Sequence, residues 1–536
     1  MRSVHKSAWL LAAVSGILQV LIFPRPNLYW LCWVALSPLM VALLRAREAE
    51  PAELLQEGTT SMLVPARAGQ GFLLGWLSGT IFYLGSCFWV YHVMLRYGGL
   101  SSVVSFGLLV LFSLYIGLHH GVFGLLLALA AKSRAPLTRR ALVLAPFLWV
   151  AVELLRAYVV SFPWNLLGTA QIDNAPLVRL ASVTGVYGIS FEIALVNTVF
   201  AAAVLAGRPR RMTLLVAAVT GAIALQSTEL IKIDPFAVDA HATLVQQNVP
   251  IEREWSYSQY KGLTDELAAI SHAPTANQDG IAPLIVWPES PAPFETSDPL
   301  FNAVTSDLAR HEHAWLLAGA AGVQASTKPG EEDKVFNSAV LIAPTGSTAQ
   351  RYDKVHLVPW GEYVPFSWAF GFAKALTHEV GAFTAGGSER QPLDVGAHRY
   401  GVFICYESVF PHEVRQFARN GAQVFVNISN DGWFGEYGAP WQHLNMARMR
   451  AVENHRWLLR DTNTGVTAAI DPLGRVVAVL PRNRRMTLDA PYGTMADLTF
   501  YTRYGDWFPL LCAIISLVGL LWRDRPKSVM TQPATV

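Results

Sequence analysis

Apolar runs of membrane-crossing length dominate the first part of the chain. Stretches at about 7–23, 28–45, 71–94, 103–131, 141–160, 177–206 and 212–227 carry few charges, and one more follows at 507–522 after a long interruption. A bilayer core takes about 20 apolar residues per helix. The pattern therefore predicts eight spans: seven in a membrane domain, 1–228, and the last in a closing segment, 504–536. In the intervening segment, 229–503, the period changes. "HATLVQQNVP", "APLIVWPES", "HAWLLAGAAGV", "SAVLIAPTG", "RYGVFICYES" and "AQVFVNISN" are short runs of large apolar residues that end in polar or turn-forming ones, as strands do. "SYSQYKGLTDELAAISHA", "SDPLFNAVTSDLARHE" and "WQHLNMARMRAVENHRWLLR" repeat apolar positions every three to four residues and read as helices. Strands alternating with helices predict an α/β domain with a covered sheet, where polar residues at strand ends gather along one rim.

Composition agrees with a membrane protein. Of 536 residues only 15% are charged, and the mean hydropathy is +0.31. The net charge is +2 and the basic residues sit in short clusters, so no nucleic-acid surface is expected. Those clusters set the topology. Arg2 and Lys6, then Arg45, Arg47 and Arg67, "KSRAPLTRR", "RPRR" and the tail "RDRPK" fall on one side of an eight-span arrangement. Scattered arginines such as Arg25, Arg96 and Arg179 fall on the other. Cytoplasmic loops carry the Lys/Arg excess, so both termini are expected in the cytoplasm and segment 229–503 outside it. No small-residue cleavage site follows the "MRSVHK" leader, and the first span is expected to be retained.

Cys32, Cys87 and Cys512 lie inside apolar runs as small hydrophobes, which excludes a disulfide framework and leaves Cys405, in "VFICYESVFP", alone in the polar segment. A lone thiol in an oxidising compartment is a liability unless it is shielded or used. Tyr406 and Glu407 follow it, polar where a sealed core would be apolar. Glu289 in "VWPES" and Lys354 in "RYDKVHLVPWGEYVP" hold comparable positions. Singly, these are a packed thiol, a solvated strand end and a surface lysine. Together they divide the work of acyl transfer. The thiol, with a free pKa of about 8.5, needs a base; a carboxylate raised by burial can serve; an ammonium can stabilise the oxyanion. A cysteine–histidine pair with His356 or His412 as base is the alternative. "HEH" at 311–313 lacks the spacing of shared metal ligands, and no zinc, nucleotide or serine-hydrolase motif occurs, so no metal or cofactor is expected.

The order Glu289 in "WPES", Lys354 in "DKVHLVPWGEYVP" and Cys405 in "CYES" resembles the nitrilase superfamily, whose fold is an αββα sandwich with a Glu-Lys-Cys triad. "SFPWNLLGTAQ", "VQQNVP", "GEYVPF", "NISNDGWFG", "HLNMARMRAVENHRW" and "TFYTRYGDWF" extend the likeness over nearly the whole chain, where it is similar to the apolipoprotein N-acyltransferase family. The resemblance implies a nitrilase-like domain on the periplasmic face of the cell inner membrane. It further implies that Glu289 takes the thiol proton while Cys405 attacks the sn-1 ester of a phospholipid, typically phosphatidylethanolamine. Lys354 would hold the oxyanion, and the α-amine of an apolipoprotein's N-terminal diacylglyceryl-cysteine would resolve the thioester. Supporting roles fall to Glu362, Tyr406, Glu407 and Trp255. A membrane-tethered nitrilase-type amidase, in which water resolves the acyl-enzyme, would carry the same triad. A monomer is expected.

A two-chain lipid leaves a bilayer at a cost of about 0.8 kcal/mol per CH₂, so the reacting sulfur should sit at the membrane surface beside an apolar path. The segment "VPFSWAFGFAKALTHEVGAFTAGG", with Phe366, Trp368, Phe370, Phe372 and Phe383, is a candidate loop for the interface, or an ordinary apolar patch of the domain. Glu153 and Arg156, one turn apart in a predicted span, and Glu192 in another are expected to pair between helices or to line a polar cavity.

Overall fold

The computed structural model describes residues 3–54, 62–131, 135–251, 255–274, 277, 280–289, 292–326, 333–359, 361–363 and 383–522. Between Ala240 and Tyr492 two six-stranded sheets lie face to face. Their strands are β1 (Ala240–Gln246), β2 (Leu284–Val286), β3 (Trp315–Gln324), β4 (Lys334–Ile342), β5 (Thr348–Asp353), β6 (Leu393–Val395), β7 (His398–Ile404), β8 (Val424–Ser429), β9 (Leu458–Thr462), β10 (Ala468–Ile470), β11 (Val476–Val479) and β12 (Met486–Tyr492). The first sheet runs β12-β1-β2-β3-β4-β5 and the second β11-β10-β9-β8-β7-β6. Each has three parallel strands, β1-β2-β3 and β7-β8-β9, flanked by antiparallel ones.

Alternation along the strands sorts the side chains. Leu244, Leu284, Val286 and Leu317 join the core cluster that also holds Ile404, Val426 and Leu459 of the second sheet. Their neighbours Val245, Ile285 and Leu316 turn the other way, toward the helices Tyr257–Ile270 and Pro299–His311. Ser256 and Asp298 start those helices by accepting from backbone N–H groups of the first turn. The helices Pro411–Arg419 and Ala439–Asn454 accompany the second sheet, completing the αββα order. The helical period seen through Arg460 stops earlier than the sequence suggests. His455 adopts a left-handed φ of +53° that ends the helix at Asn454, and "LLRDT" pairs as β9 beside β8.

The apolar part is a helical bundle. Ser102–Ala131, Arg139–Val160, Val186–Leu205 and Arg208–Leu230 are long and apolar enough to cross a bilayer; the pair Ala68–Ser86 and Trp89–Arg96, bent by 55°, is long and apolar enough only when taken together, as a broken span or a re-entrant loop. Three predicted spans are helical but shorter. Lys6–Leu21 has 16 residues and Trp507–Leu521 has 15, about 24 Å at 1.5 Å per residue against a core of about 30 Å. Tyr29–Leu44 is interrupted at Leu36. The run predicted at 177–206 breaks at Gly185, whose φ is +67° and where a Cβ would stand 2.7 Å from the Tyr501 ring. Among the described residues, four helices, or five with the bent pair, are long and apolar enough to cross, where eight spans were expected. The bundle's core continues without a gap into Tyr406, Val409, Phe410, Met446, Met449 and Val452 of the α/β part.

Candidate active site

Strand direction gathers the polar residues on one rim. Pro288 cannot extend the ladder after β2, and the chain turns to present Glu289; Lys354 follows β5, Cys405 follows β7 and Asn430 follows β8. The central object is a buried array of two carboxylates and two donors. Lys354 Nζ donates to Glu289 Oε1 at 3.2 Å and to Glu362 Oε1 at 2.9 Å. Asn337 Nδ2, from β4, donates to the same two oxygens at 2.8 and 2.7 Å. The outer oxygens accept backbone N–H groups: Glu289 Oε2 that of Asn430 at 2.7 Å, and Glu362 Oε2 that of Val358 at 2.7 Å. Burial alone would discharge Lys354, but the Glu289 and Glu362 charges outweigh it and hold the ammonium well above its ordinary pKa.

Cys405 is 8% exposed and has a left-handed φ of +49°. Burial pushes its thiol up, and the Glu289 carboxylate adds to that; Lys354 pulls the other way without reversing it. The sulfur thus rests as a thiol within electrostatic reach of the Glu289 carboxylate. Glu407 is a strut for the turn. Its Oε2 accepts from Ile404 N at 2.8 Å, and its Oε1 from Tyr352 Oη and Val355 N, both at 2.8 Å. Tyr406 reaches the membrane bundle, its hydroxyl donating to Ser161 O at 3.0 Å.

Trp255 stands edge to ring with Tyr260 at 6.3 Å, against the helix-facing core of the first sheet rather than in the hydrogen-bonded array. His356 bonds Glu413 Oε1 at 2.9 Å and stacks on Phe410, while His412 stacks on Tyr158. The histidine beside Cys405 is a different one, His443: it, Asp431 and Cys405 bring ligand-type atoms within 4.8 Å of one another. Its Nε2, however, faces the Cys405 carbonyl at 3.0 Å and Ser408 Oγ at 2.8 Å. Asp431 Oδ2 is engaged by Arg460 at 2.8 Å. The cluster is satisfied by the protein itself, and no metal is required to explain it.

The described membrane residues meet this rim. Trp164 Nε1 donates to Gln442 Oε1 at 2.7 Å, and Glu453 Oε1 accepts Val186 N at 3.0 Å. Glu153 and Arg156 do not pair directly. Glu153 accepts from Leu167 N at 2.7 Å, and Arg156 donates to Tyr83 and to Trp164 O. Both line a small cavity with Gln19, Tyr83, His119 and His120. Glu192 is half-buried on Val186–Leu205. Phe366, Trp368, Phe370 and Phe372 lie outside the described residues.

Residues 241–492 match the carbon-nitrogen hydrolase family, and residues 15–199 match the apolipoprotein N-acyltransferase N-terminal domain. An apolipoprotein N-acyltransferase of Geobacter metallireducens is 33% identical over 99% of this chain and 98% of its own length. The chain belongs to the apolipoprotein N-acyltransferase family. A second member, from Methylococcus capsulatus, is 34% identical over 84% of this chain and 88% of its own. Among solved structures an amidase from Nesterenkonia sp. is 21% identical with a TM-score of 0.34, covering 51% of this chain and 95% of that one. As a member of this family the chain is an enzyme, and its apolar helices make it a multi-pass membrane protein.

The sequence reading missed Asn337, Asn430, Asp431, His443 and Arg460, all fully or nearly buried except the half-buried Asn337. A signal was present for two of them. Asn337 and Arg460 lie inside strands, and polar groups within packed strands need partners.

Proposed function

We propose that this enzyme transfers the sn-1 acyl chain of a phospholipid, phosphatidylethanolamine being the expected donor, to the α-amine of the N-terminal diacylglyceryl-cysteine of an apolipoprotein. Glu289 takes the Cys405 proton as sulfur attacks the ester carbonyl, and returns it to the departing sn-1 oxygen, releasing lysophospholipid and leaving a thioester. The incoming amine then gives its proton to Glu289, attacks the thioester, and Glu289 reprotonates the sulfur. Lys354 has three N–H donors; two hold Glu289 and Glu362, and the third is directed to the oxyanion. Glu362 keeps the ammonium paired in the moment when Glu289 is neutral. Tyr406 and Glu407 hold the turn of the nucleophile, and Trp255 shapes the approach from the first sheet.

The observation that carries this reading is the Glu289-Lys354-Glu362 array standing beside a thiol whose following residues belong to the membrane bundle's core. A lipid ester and a membrane-anchored amine can reach such a sulfur without leaving the bilayer. We further propose that the three shorter apolar helices also cross, giving eight spans, with both termini in the cytoplasm and segment 229–503 in the periplasm as a catalytic domain of the inner membrane. The protein acts as a monomer without metal or cofactor. Incubation of the purified protein with phosphatidylethanolamine should give a fatty-acyl adduct on the Cys405 peptide by mass spectrometry. Added diacylglyceryl peptide should discharge it as amide. Release as free fatty acid at the same rate without peptide would instead assign a hydrolase.

A further inference from the structure

A left-handed, non-glycine residue needs surroundings that hold it, and three bonds surround the Cys405 turn. Glu407 accepts the N–H before it, Tyr406 ties the residue after it to Ser161, and His443 Nε2 sits 3.0 Å from the Cys405 carbonyl oxygen. His443 is itself fixed on every side. Its Nδ1 lies 2.8 Å from Asp431 Oδ1, Asp431 is bound by Arg460 and by Ser429 Oγ, and the indole of Trp164 stacks over the ring at 5.8 Å. None of His443, Asp431 and Arg460 is exposed at all. Arg460 Nη2 also lies 3.1 Å from Nδ1 and Ser408 Oγ 2.8 Å from Nε2, so both ring nitrogens are engaged. Trp164 lies in the membrane segment whose carbonyl Arg156 holds at 2.9 Å, so the chain of contacts runs from the bundle to the nucleophile's own backbone.

We propose that His443 is a positioning residue for the acyl-transfer reaction: by holding the Cys405 carbonyl it fixes the left-handed turn and aims the sulfur at the lipid ester. It touches neither substrate nor sulfur in this role, and the inference rests on Cys405 being the acylated nucleophile.

The test measures the rate of adduct formation on Cys405 in detergent-solubilised full-length protein given phosphatidylethanolamine. It separates maximal rate from lipid concentration dependence and records a melting curve for each variant. His443→Ala should slow the maximal rate by about a hundredfold, the scale of a misplacement near 1 Å, with the concentration dependence moving less than about threefold. His443→Gln places an N–H where Nε2 stood and should recover to within about tenfold of the wild type, whereas His443→Asn, which reaches only the Nδ1 position, should not. If the Ala variant fails to accumulate, the Gln and Asn pair decides by the same contrast. Gln as slow as Asn at equal melting temperature, or Ala within about threefold of wild type, overturns the positioning role. An adduct that persists in Cys405→Ala overturns the nucleophile itself, a separate result.

Discussion

The two sheets of the sandwich are built alike and used differently. The helix Tyr257–Ile270 on the first sheet buries Tyr260, Leu263, Thr264 and Leu267 and leaves its other face to solvent. The helix Ala439–Asn454 on the second buries 14 of its 16 residues, because it lies between the sheet and the membrane bundle. The second sheet, which carries Cys405, Asn430 and Arg460, is therefore the half fastened to the membrane. The first, which carries Glu289, Lys354 and Asn337, brings the charges. The Cys405 turn is tied to the bundle through Tyr406, and the first-sheet charges are tied to the second sheet through bonds that include Asn430 N–H to Glu289 and the Tyr352 hydroxyl and Val355 N–H to Glu407.

That division can be broken most directly at the rim. Cys405→Ala should give no acyl adduct on its peptide. Glu289→Gln should keep the thiol alkylable by a small reagent yet slow adduct formation by about 10² to 10⁴, the range for a lost general base. Lys354→Met should act on both chemistry and stability. It removes an oxyanion donor, about 10² to 10³ in rate, and leaves two buried carboxylates sharing Asn337, a loss of about 3–5 kcal/mol. Melting curves of the variant and the wild type check the second part.

Glu289 and Cys405 were readable because each ends an apolar run and strands expose their ends, whereas Lys354, after the polar strand "TAQRYD", was marked by its motif "DKVHLVPWGEYVP". The runs "LIV" and "VFI" are strongly β-forming, so the polar residues after them stand out. Other features left no such trace. Leu393–Val395 and Ala468–Ile470 are three residues long, too short for a period, and Val476–Val479 is largely exposed. The helix-to-strand change at His455 turns on one backbone angle. His443 looks from sequence like any polar position on an amphipathic helix. Only the membrane bundle lying over that face makes it buried, and no local pattern encodes a contact with Trp164, nearly 300 residues earlier in the chain. The bend after Ser86 is likewise hidden inside an uninterrupted apolar stretch.

A further test concerns how the helix that follows Cys405 is locked. Burial would raise Glu413, but the bonds and charges of His356 and Arg390 outweigh it and hold the carboxyl at about 2. A depressed folded value contributes stability that is complete above the unfolded pKa of about 4.3 and is lost as pH falls through the folded one. The contribution is on the order of 3 kcal/mol. The apparent melting temperature of the solubilised protein should fall between pH 4.5 and pH 2. Glu413→Gln should start lower at pH 7 and show a flatter decline; parallel curves would remove Glu413 from the account.

The smallest expected effect separates the sheets most cleanly, because the same chemical change can be made on each side. Tyr406→Phe removes a 3.0 Å bond to Ser161 O in the membrane bundle, and Tyr352→Phe removes a 2.8 Å bond to Glu407 within the sandwich. Each bond is worth about 0.5–1.5 kcal/mol net, so either variant should lose at most about tenfold in rate. Their signatures should differ. Tyr352→Phe weakens the strut under the Cys405 turn and should slow lipid acylation and small-reagent alkylation alike. Tyr406→Phe loosens only the tie between turn and bundle, and should slow acylation from phosphatidylethanolamine several-fold while alkylation proceeds at the wild-type rate. If the two tyrosines behaved identically in both assays, fastening the nucleophile to the membrane half would have no bearing on how it meets its lipid.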